Sequence, residues 1–402
     1  MHYGWWMAML SIFVSLGVGR FALGMLLPAM AANLGLSYPQ MGWISTANFA
    51  GYLLGALWVR RLLPRYGARR LIFGAIMGMI ATMVGISMAS GFVSLLILYA
   101  GTGLGGGIAL ISALKLIRRW FTSRWRDRAS GFLFAGAGLA IMLAGWTVPL
   151  INGAVGSESW RLGWAGLAVV CLPLAIFCRI MIRNRPFDVG LRPFGMDSQA
   201  RKQALNSQAV KPAASRASLR FLIMRLGAIY GLFGMAYVIY ATFIVTTLVR
   251  QHGMTETQAG YFWIWIGFFS LFSGPVLLVL SERLGLRAGM SLALLLQGSA
   301  LALIAYGSGD AAVYLSIALF GLSLFGVPII ISAAATGYLP RNRTLSVIGA
   351  VAVLFALGQM SGPILAGVMA DYSGSFTSAY LAAAALLALA IAITLSLPDP
   401  SE

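Results

Sequence analysis

One arginine stands apart from the other basic residues. Arg20 lies inside an apolar stretch, VGRFALGMLLPAM from Val18 onward. Read as a helix over 5–31, this stretch places Arg20 about 22 Å along the axis, near the middle of a bilayer. A guanidinium at that depth costs at least about 2.5 to 3.5 kcal/mol on insertion scales, so it faces a bundle interior or an aqueous path. Its planar fork matches a carboxylate in a bidentate contact. Two readings stay open: Arg20 grips an anionic substrate, or it is a structural residue bonded to carbonyls of neighbouring helices. Gly17 and Gly24 share its helical face and are expected to leave space beside the guanidinium.

No acidic side chain is placed to neutralise Arg20. All 10 Asp and Glu residues fall in expected loops, helix ends, the linker or the tail, among them Asp127, Glu158, Glu256, Asp310 and Asp371. The counter-ion is therefore expected to arrive as substrate, and any coupled proton to travel with it. His2 and His252 are too peripheral to carry protons at the midplane.

Further candidates lie in the C-terminal part. Tyr230, Phe233, Tyr237 and Tyr240 follow one another at spacings of three, four and three. Such a face either donates hydroxyl hydrogen bonds to a substrate opposite Arg20 or packs as an aromatic stripe. Gln359 is an intramembrane amide that needs a partner, from substrate or backbone. Trp263 and Trp265 are weaker candidates, and Lys115 is read as snorkelling to the surface beside Arg118 and Arg119.

Other chemistries find no support. No metal-ligand cluster, nucleophile with its base, or ATP-binding loop is present, so neither an enzyme nor a cofactor is expected. The run Gly101, Gly103, Gly105, Gly106, Gly107 lies inside an apolar span, whereas a phosphate loop joins a strand to a helix. Small residues there let helices approach closely. Cys171 and Cys178 are two turns apart on one expected helix, roughly 10 Å, too far for a disulfide within it.

The elements that position these residues are membrane helices. Of 402 residues, 60% are hydrophobic and only 9% charged, against about 25% charged in soluble domains. The apolar runs reach twenty residues without period-2 alternation, which favours helices over a barrel. Twelve spans are expected, with a polar linker at 182–218 dividing an N-terminal half, 1–181, from a C-terminal half, 219–402. This is an all-α membrane fold of two six-helix halves.

The formal charge of +18 raises nucleic-acid binding, and the placement of the charges argues against it. Arg60, Arg61, Arg65, Arg69 and Arg70 form one cluster between apolar runs, and Arg118, Arg119, Arg124, Arg126 and Arg128 form another. Loops on the linker's side collect the Arg and Lys, while the opposite loops carry Arg161 and Arg250. Both termini are therefore expected in the cytoplasm, with Trp5 and Trp6 in the headgroup belt of a retained first helix.

The two halves repeat each other. Gly35 falls on Gly253, Ser37 on Thr255, Gln40 on Gln258, Gly42 on Gly260 and Gly67 on Gly285, all at an offset of 218; Pro149 falls on Pro363, at 214. Arg126 falls likewise on Arg341, Arg128 on Arg343, and Trp160 on Phe376. Ser or Thr followed three residues later by Gln predicts a capping box at the start of helices 2 and 8.

Two six-helix halves in parallel repeat, a long linker, and basic loops after helices 2 and 8 resemble the major facilitator superfamily. The family's loop signature, Gly-x-x-x-Asp-Arg-x-Gly-Arg-Arg, is matched in RRLLPRYGARR by Gly67, Arg69 and Arg70, with Pro64 where the acid should stand. The second copy, SERLGLR, keeps Glu282, Arg283, Gly285 and Arg287. The resemblance implies that Gly67, Arg69, Glu282, Arg283, Gly285, Arg126 and Arg341 help to latch the cytoplasmic side, with a carboxylate in the second copy alone. VGRFALGMLLPAM and YGLFGMAYVIYATF look like the YbfB/YjiJ-type bacterial branch. GTGLGGG and GFLFAGAG carry a weaker likeness to oxalate, formate and monocarboxylate carriers.

The reading is a monomeric secondary transporter of the bacterial inner membrane that moves a small organic anion by alternating access. Its partners are that substrate and the lipid bilayer. Two alternatives stay open, an exporter of lipophilic or cationic compounds and a non-transporting receptor or scaffold.

Overall fold

The computed structural model describes residues 13–155, 158–194, 216–307, 309–338 and 341–397. Trp5 and Trp6, and the side chains of Arg126, Arg128, Arg341 and Arg343, lie outside the described residues.

Helix α1 opens as a π-helical segment, Phe13–Phe21, and continues as Ala22–Leu34. The next helical run, Tyr38–Ser87, holds 50 residues. At 1.5 Å per residue it would reach about 75 Å, more than twice the hydrocarbon thickness. It is two passes. Gly67 takes φ 75° and ψ 160°, a conformation that costs glycine least, and this kink separates α2 (38–66) from α3 (68–87).

The remaining helices follow in order: α4 Phe92–Trp120, α5 Ser123–Val155, α6 Ser159–Met181, α7 Arg216–Arg250, α8 Glu256–Leu284 and α9 Leu286–Tyr306. Two segments, Asp310–Ser323 and Gly326–Tyr338, form α10; then come α11 Arg341–Ser373 and α12 Thr377–Leu395. Counted across the Gly67 kink, the described residues make twelve passes. The break in α10 frees a backbone N–H at Phe325, which donates to Ser273 Oγ at 3.0 Å. Buried serine thus replaces the lost helical partner where no water is available.

The internal repeat reappears in the backbone. Ser37 and Thr255 each accept from the Gln three residues on, at 3.4 and 3.2 Å, and each Gln side chain returns the bond to the cap N–H. Both expected capping boxes therefore form. Gly35 and Gly253 have φ 63° and 66°, and Gly285, at 88°, repeats the bend of Gly67.

Glycines set how closely the helices approach. A Cβ on Gly103 would fall 1.9 Å from Asn48 O, one on Gly107 2.2 Å from Tyr52 O, and one on Gly51 1.9 Å from Ala100 O. Helices α2 and α4 are thus zipped backbone to backbone, which presses α2 and its rings toward α1. Between the halves, α2 meets α11 and α5 meets α8. Ser45 bonds to Thr242 at 3.0 Å, and Thr46 donates to Met360 O at 2.6 Å. The linker's first residues are docked as well, with Phe194 N–H donating to Trp120 O at 2.8 Å.

Candidate functional site

Arg20 sits in the π-helical segment of α1, a geometry that recurs at functional sites. Its guanidinium carbon lies 4.5 Å from the ring centre of Phe49 and 4.6 Å from that of Tyr52, both on α2. Desolvated cation–π contacts reach about 2 kcal/mol, which offsets part of the cost of placing the charge there. The backbone beneath is also held. Tyr99 donates to Arg20 O at 2.9 Å, and Asn48 Nδ2 donates to Gly19 O at 3.3 Å and to Tyr99 O at 3.2 Å.

From the opposite half, Tyr237 lines the same cleft as Arg20, and its hydroxyl accepts from Nε2 of Gln359. With a donor already on its oxygen, Tyr237 keeps its own O–H proton for a further acceptor. An ion pair joins Arg161 to Glu158, at 3.7 Å, between residues that do not line this cleft. A cluster of donors around an unneutralised guanidinium is the chemistry that receives an anion.

These groups border a cleft lined by Arg20, Asn48, Phe49, Tyr99, Tyr237 and Thr242, among others. Its volume is about 10 Å³, room for roughly one water molecule. The centre is closed in this arrangement.

Several expected placements change. Tyr240 turns away from Arg20: its hydroxyl bonds to Ser316 at 2.8 Å and its ring stacks on Phe320 at 4.0 Å, fully buried in the C-terminal half. The reason is helical phase. Seven residues from Tyr230 to Tyr237 return within about 20° of the same face, whereas ten residues to Tyr240 miss it by about 80°. Gly17 is taken up by a neighbouring helix, whereas Gly24 lines the same cleft as Arg20. A Cβ on Gly17 would fall 2.2 Å from Ala140, and one on Gly24 would fall 2.5 Å from Ala241 O, so both glycines seat α1 against its neighbours.

Tyr230 stays close, stacked on Phe355 at 3.9 Å. Gln359 is fully buried, and its Oε1 has no partner. Trp263 packs over Gly24 with an unpartnered Nε1, while Trp265 is half-exposed and packs on Phe268 and Phe269. Cys171 and Cys178 are both buried and not joined in a disulfide.

Reasoning from sequence missed Asn48, Phe49, Tyr52, Tyr99 and Phe355. Asn48 carried a usable signal as an intramembrane amide, with aromatic residues one and four positions on.

The expected latch residues divide. Around Gly67, the Arg69 N–H donates to Asn184 Oδ1 at 3.0 Å and its Nε donates to Arg179 O at 2.8 Å. These bonds tie α3 to the end of α6 within one half. Glu282 and Arg283 are exposed at the end of α8, just before the Gly285 bend. The side chains of Arg126 and Arg341 lie outside the described residues.

The family described as "Uncharacterised MFS-type transporter YbfB" matches residues 12–395, nearly the whole chain. The chain belongs to this family. It is a membrane transporter of the major facilitator superfamily and not an enzyme.

The transporter is 24% identical to the hexuronate transporter of Bacillus subtilis, covering 92% of this chain and 88% of that one. It is 25% identical to the gentisate transporter of Corynebacterium glutamicum, covering 95% and 85%. Among solved structures, a bacterial homolog of the human lysosomal transporter Spinster superposes with a TM-score of 0.71 at 15% identity, over 98% of this chain and 96% of that one. That last likeness concerns the fold alone.

Proposed function

We propose that this transporter carries a small organic anion across the bacterial cytoplasmic membrane as a secondary carrier, with the substrate carboxylate docking on Arg20. The observation that carries the reading is the Arg20–Tyr237 centre, a half-buried cation in a cleft with a spare hydroxyl donor and no carboxylate among its lining residues. Gln359 is bonded to the Tyr237 hydroxyl, and Tyr230 lies in the same bank of stacked rings. The names of the two relatives above, hexuronate and gentisate, are both names of carboxylates.

Alternating access follows from how the halves meet. Residues 1–181 and 219–402 act as two rocking units joined by the linker 182–218, with both termini in the cytoplasm and the monomer as the working unit. The close glycine contacts of α2 with α11 and of α5 with α8 lie on the side away from the Arg-rich loops. The arrangement described is thus closed to the outside. In the opposite state, Glu282, Arg283 and Gly285, together with Gly67, Arg69, Arg126 and Arg341, close the cytoplasmic side.

The test is thermal shift of purified protein against small carboxylates and lipophilic cations, on wild type and Arg20→Gln. A ligand at 100 times its Kd adds about 2.7 kcal/mol of stability. An acid is expected to raise the Tm of wild type and leave Arg20→Gln unmoved. Cations that stabilise both forms equally, with no effect of acids, would make the protein an exporter of lipophilic or cationic compounds and Arg20 a structural residue.

A further inference from the structure

The geometry points to an aromatic carboxylate bearing a ring hydroxyl as the substrate class, in preference to a sugar acid; this rests on the docking of a carboxylate at Arg20 proposed above. Three features of the site carry it.

The first is the shape and surface of the walls. On the N-terminal side, Phe49 and Tyr52 present ring faces to Arg20 at 4.5 and 4.6 Å. On the C-terminal side, Tyr237, Phe233, Tyr230 and Phe355 form a bank of near-parallel rings. Tyr230 lies 3.9 Å from Phe355 at 4°, and Tyr237 lies 5.9 Å from Phe355 at 15°. Of these rings Phe49 and Tyr237 border the cleft itself, one from each half, so a flat ring carried in by its carboxylate meets an aromatic surface on both sides, where offset-stacked and edge-to-face contacts are available.

The second is that, the Tyr237 hydroxyl proton aside, several polar groups in and beside the cleft are already committed to protein partners. Asn48 uses both amide protons on Gly19 O and Tyr99 O, Ser45 is paired with Thr242, Thr46 with Met360 O, and Tyr99 with Arg20 O. A sugar acid brings a hydroxyl on nearly every ring carbon. Each one buried here without a partner carries its desolvation penalty.

The third is what remains uncommitted. Oε1 of Gln359 is fully buried and without a partner, while the amide end of the same side chain is bonded to the Tyr237 hydroxyl. A single ring hydroxyl can donate to that carbonyl. One cation, two ring banks and one free carbonyl together describe a hydroxylated aromatic acid.

The test is a binding series on the full-length protein in lipid nanodiscs, read by isothermal titration. Its probes are benzoate, the three monohydroxybenzoates, cyclohexanecarboxylate and glucuronate. At least one hydroxybenzoate is expected to bind about tenfold more tightly than cyclohexanecarboxylate, which has the carboxylate and nearly the same size but no π-face. The same isomer is expected to exceed benzoate several-fold and glucuronate by more. Gln359→Leu should abolish the preference of the best hydroxybenzoate over benzoate, whatever it does to the affinity for both.

Equal affinity for the aromatic and alicyclic acids, or tighter binding of glucuronate, overturns the inference and leaves the anion reading standing. Binding by none of these acids overturns both. The wild-type series decides the ring question by itself, so a Gln359→Leu protein that fails to fold leaves the test intact.

Discussion

Gly42, at the start of α2, faces the carbonyl oxygen of Pro363 on α11 so closely that a Cβ on the glycine would come within 2.3 Å of it. The contact has a counterpart. Gly260 at the start of α8 faces the ring of Pro149 on α5, where a Cβ would come within 2.4 Å. These four residues are the two pairs that the repeat relates, Gly42 with Gly260 and Pro149 with Pro363. Each half therefore offers the other the same glycine-on-proline seat.

Filling one seat should push the halves apart on the side away from the basic loops. Overpacking by one or two methyl groups typically costs about 1 to 3 kcal/mol. A cost near 2 kcal/mol, borne by the closed state alone, shifts the population between states roughly thirtyfold. Gly42→Val is expected to raise the labelling of a cysteine placed at Ser45 by an impermeant maleimide added outside. Labelling equal to that of the Ser45→Cys parent would show that Gly42 does not hold this closure.

Arg20→Lys keeps the charge and loses the fork. Lysine cannot present a planar group to Phe49 and Tyr52 together, nor donate bidentately to a carboxylate. Hydrogen bonds to charged groups contribute about 1.5 to 3 kcal/mol, so ligand affinity should fall roughly 10- to 100-fold in titration calorimetry. Retention of wild-type affinity in Arg20→Lys would reduce Arg20 to a diffuse positive charge.

Tyr237→Phe and Tyr240→Phe are expected to separate binding from stability. Removing the Tyr237 hydroxyl takes one donor from the anion and one partner from Gln359, and affinity should drop about three- to tenfold. Removing the Tyr240 hydroxyl breaks the bond to Ser316 in the core of the C-terminal half. It should lower stability by about 1 kcal/mol in a thermal melt and leave affinity unchanged. A loss of affinity in Tyr240→Phe would return that residue to the binding site.

Glu282→Gln tests the cytoplasmic latch. Its carboxylate is the acid retained by the two signature copies, since Pro64 occupies the place in the first. If Glu282 pairs across the halves in the outward state, neutralising it should favour the arrangement closed to the outside, read as higher cysteine accessibility from the cytoplasmic face. Unchanged accessibility removes Glu282 from the latch.

Much of the architecture was legible in the residues. Ser37 with Gln40 and Thr255 with Gln258 announced two helix starts because a capping box is a local contract between residues three apart. Arg20 announced the centre because a charge deep in an apolar run needs a reason. Gln359 stood out for the same cause.

Phase and partnership were not legible. The spacing of Tyr240 admitted it to the face of Tyr230 and Tyr237 only if helical drift was ignored. Gly17 read as space beside the guanidinium, but Ala140 on α5 comes too close for a Cβ there, a contact between segments far apart along the chain. Phe49 and Tyr52 read as ordinary apolar residues, since a ring becomes a cation site only when another helix brings the cation.

By itself the sequence determined the membrane class, the pseudo-repeat and the cation embedded in the first span, because hydropathy, periodicity and embedded charge are properties of a single segment in lipid. Only the tertiary structure decided which rings surround Arg20, that Tyr237 lines the same cleft from the opposite half, and that repeated glycines meet repeated prolines. Those relationships depend on distances between segments far apart along the chain, and close packing selects one set of them.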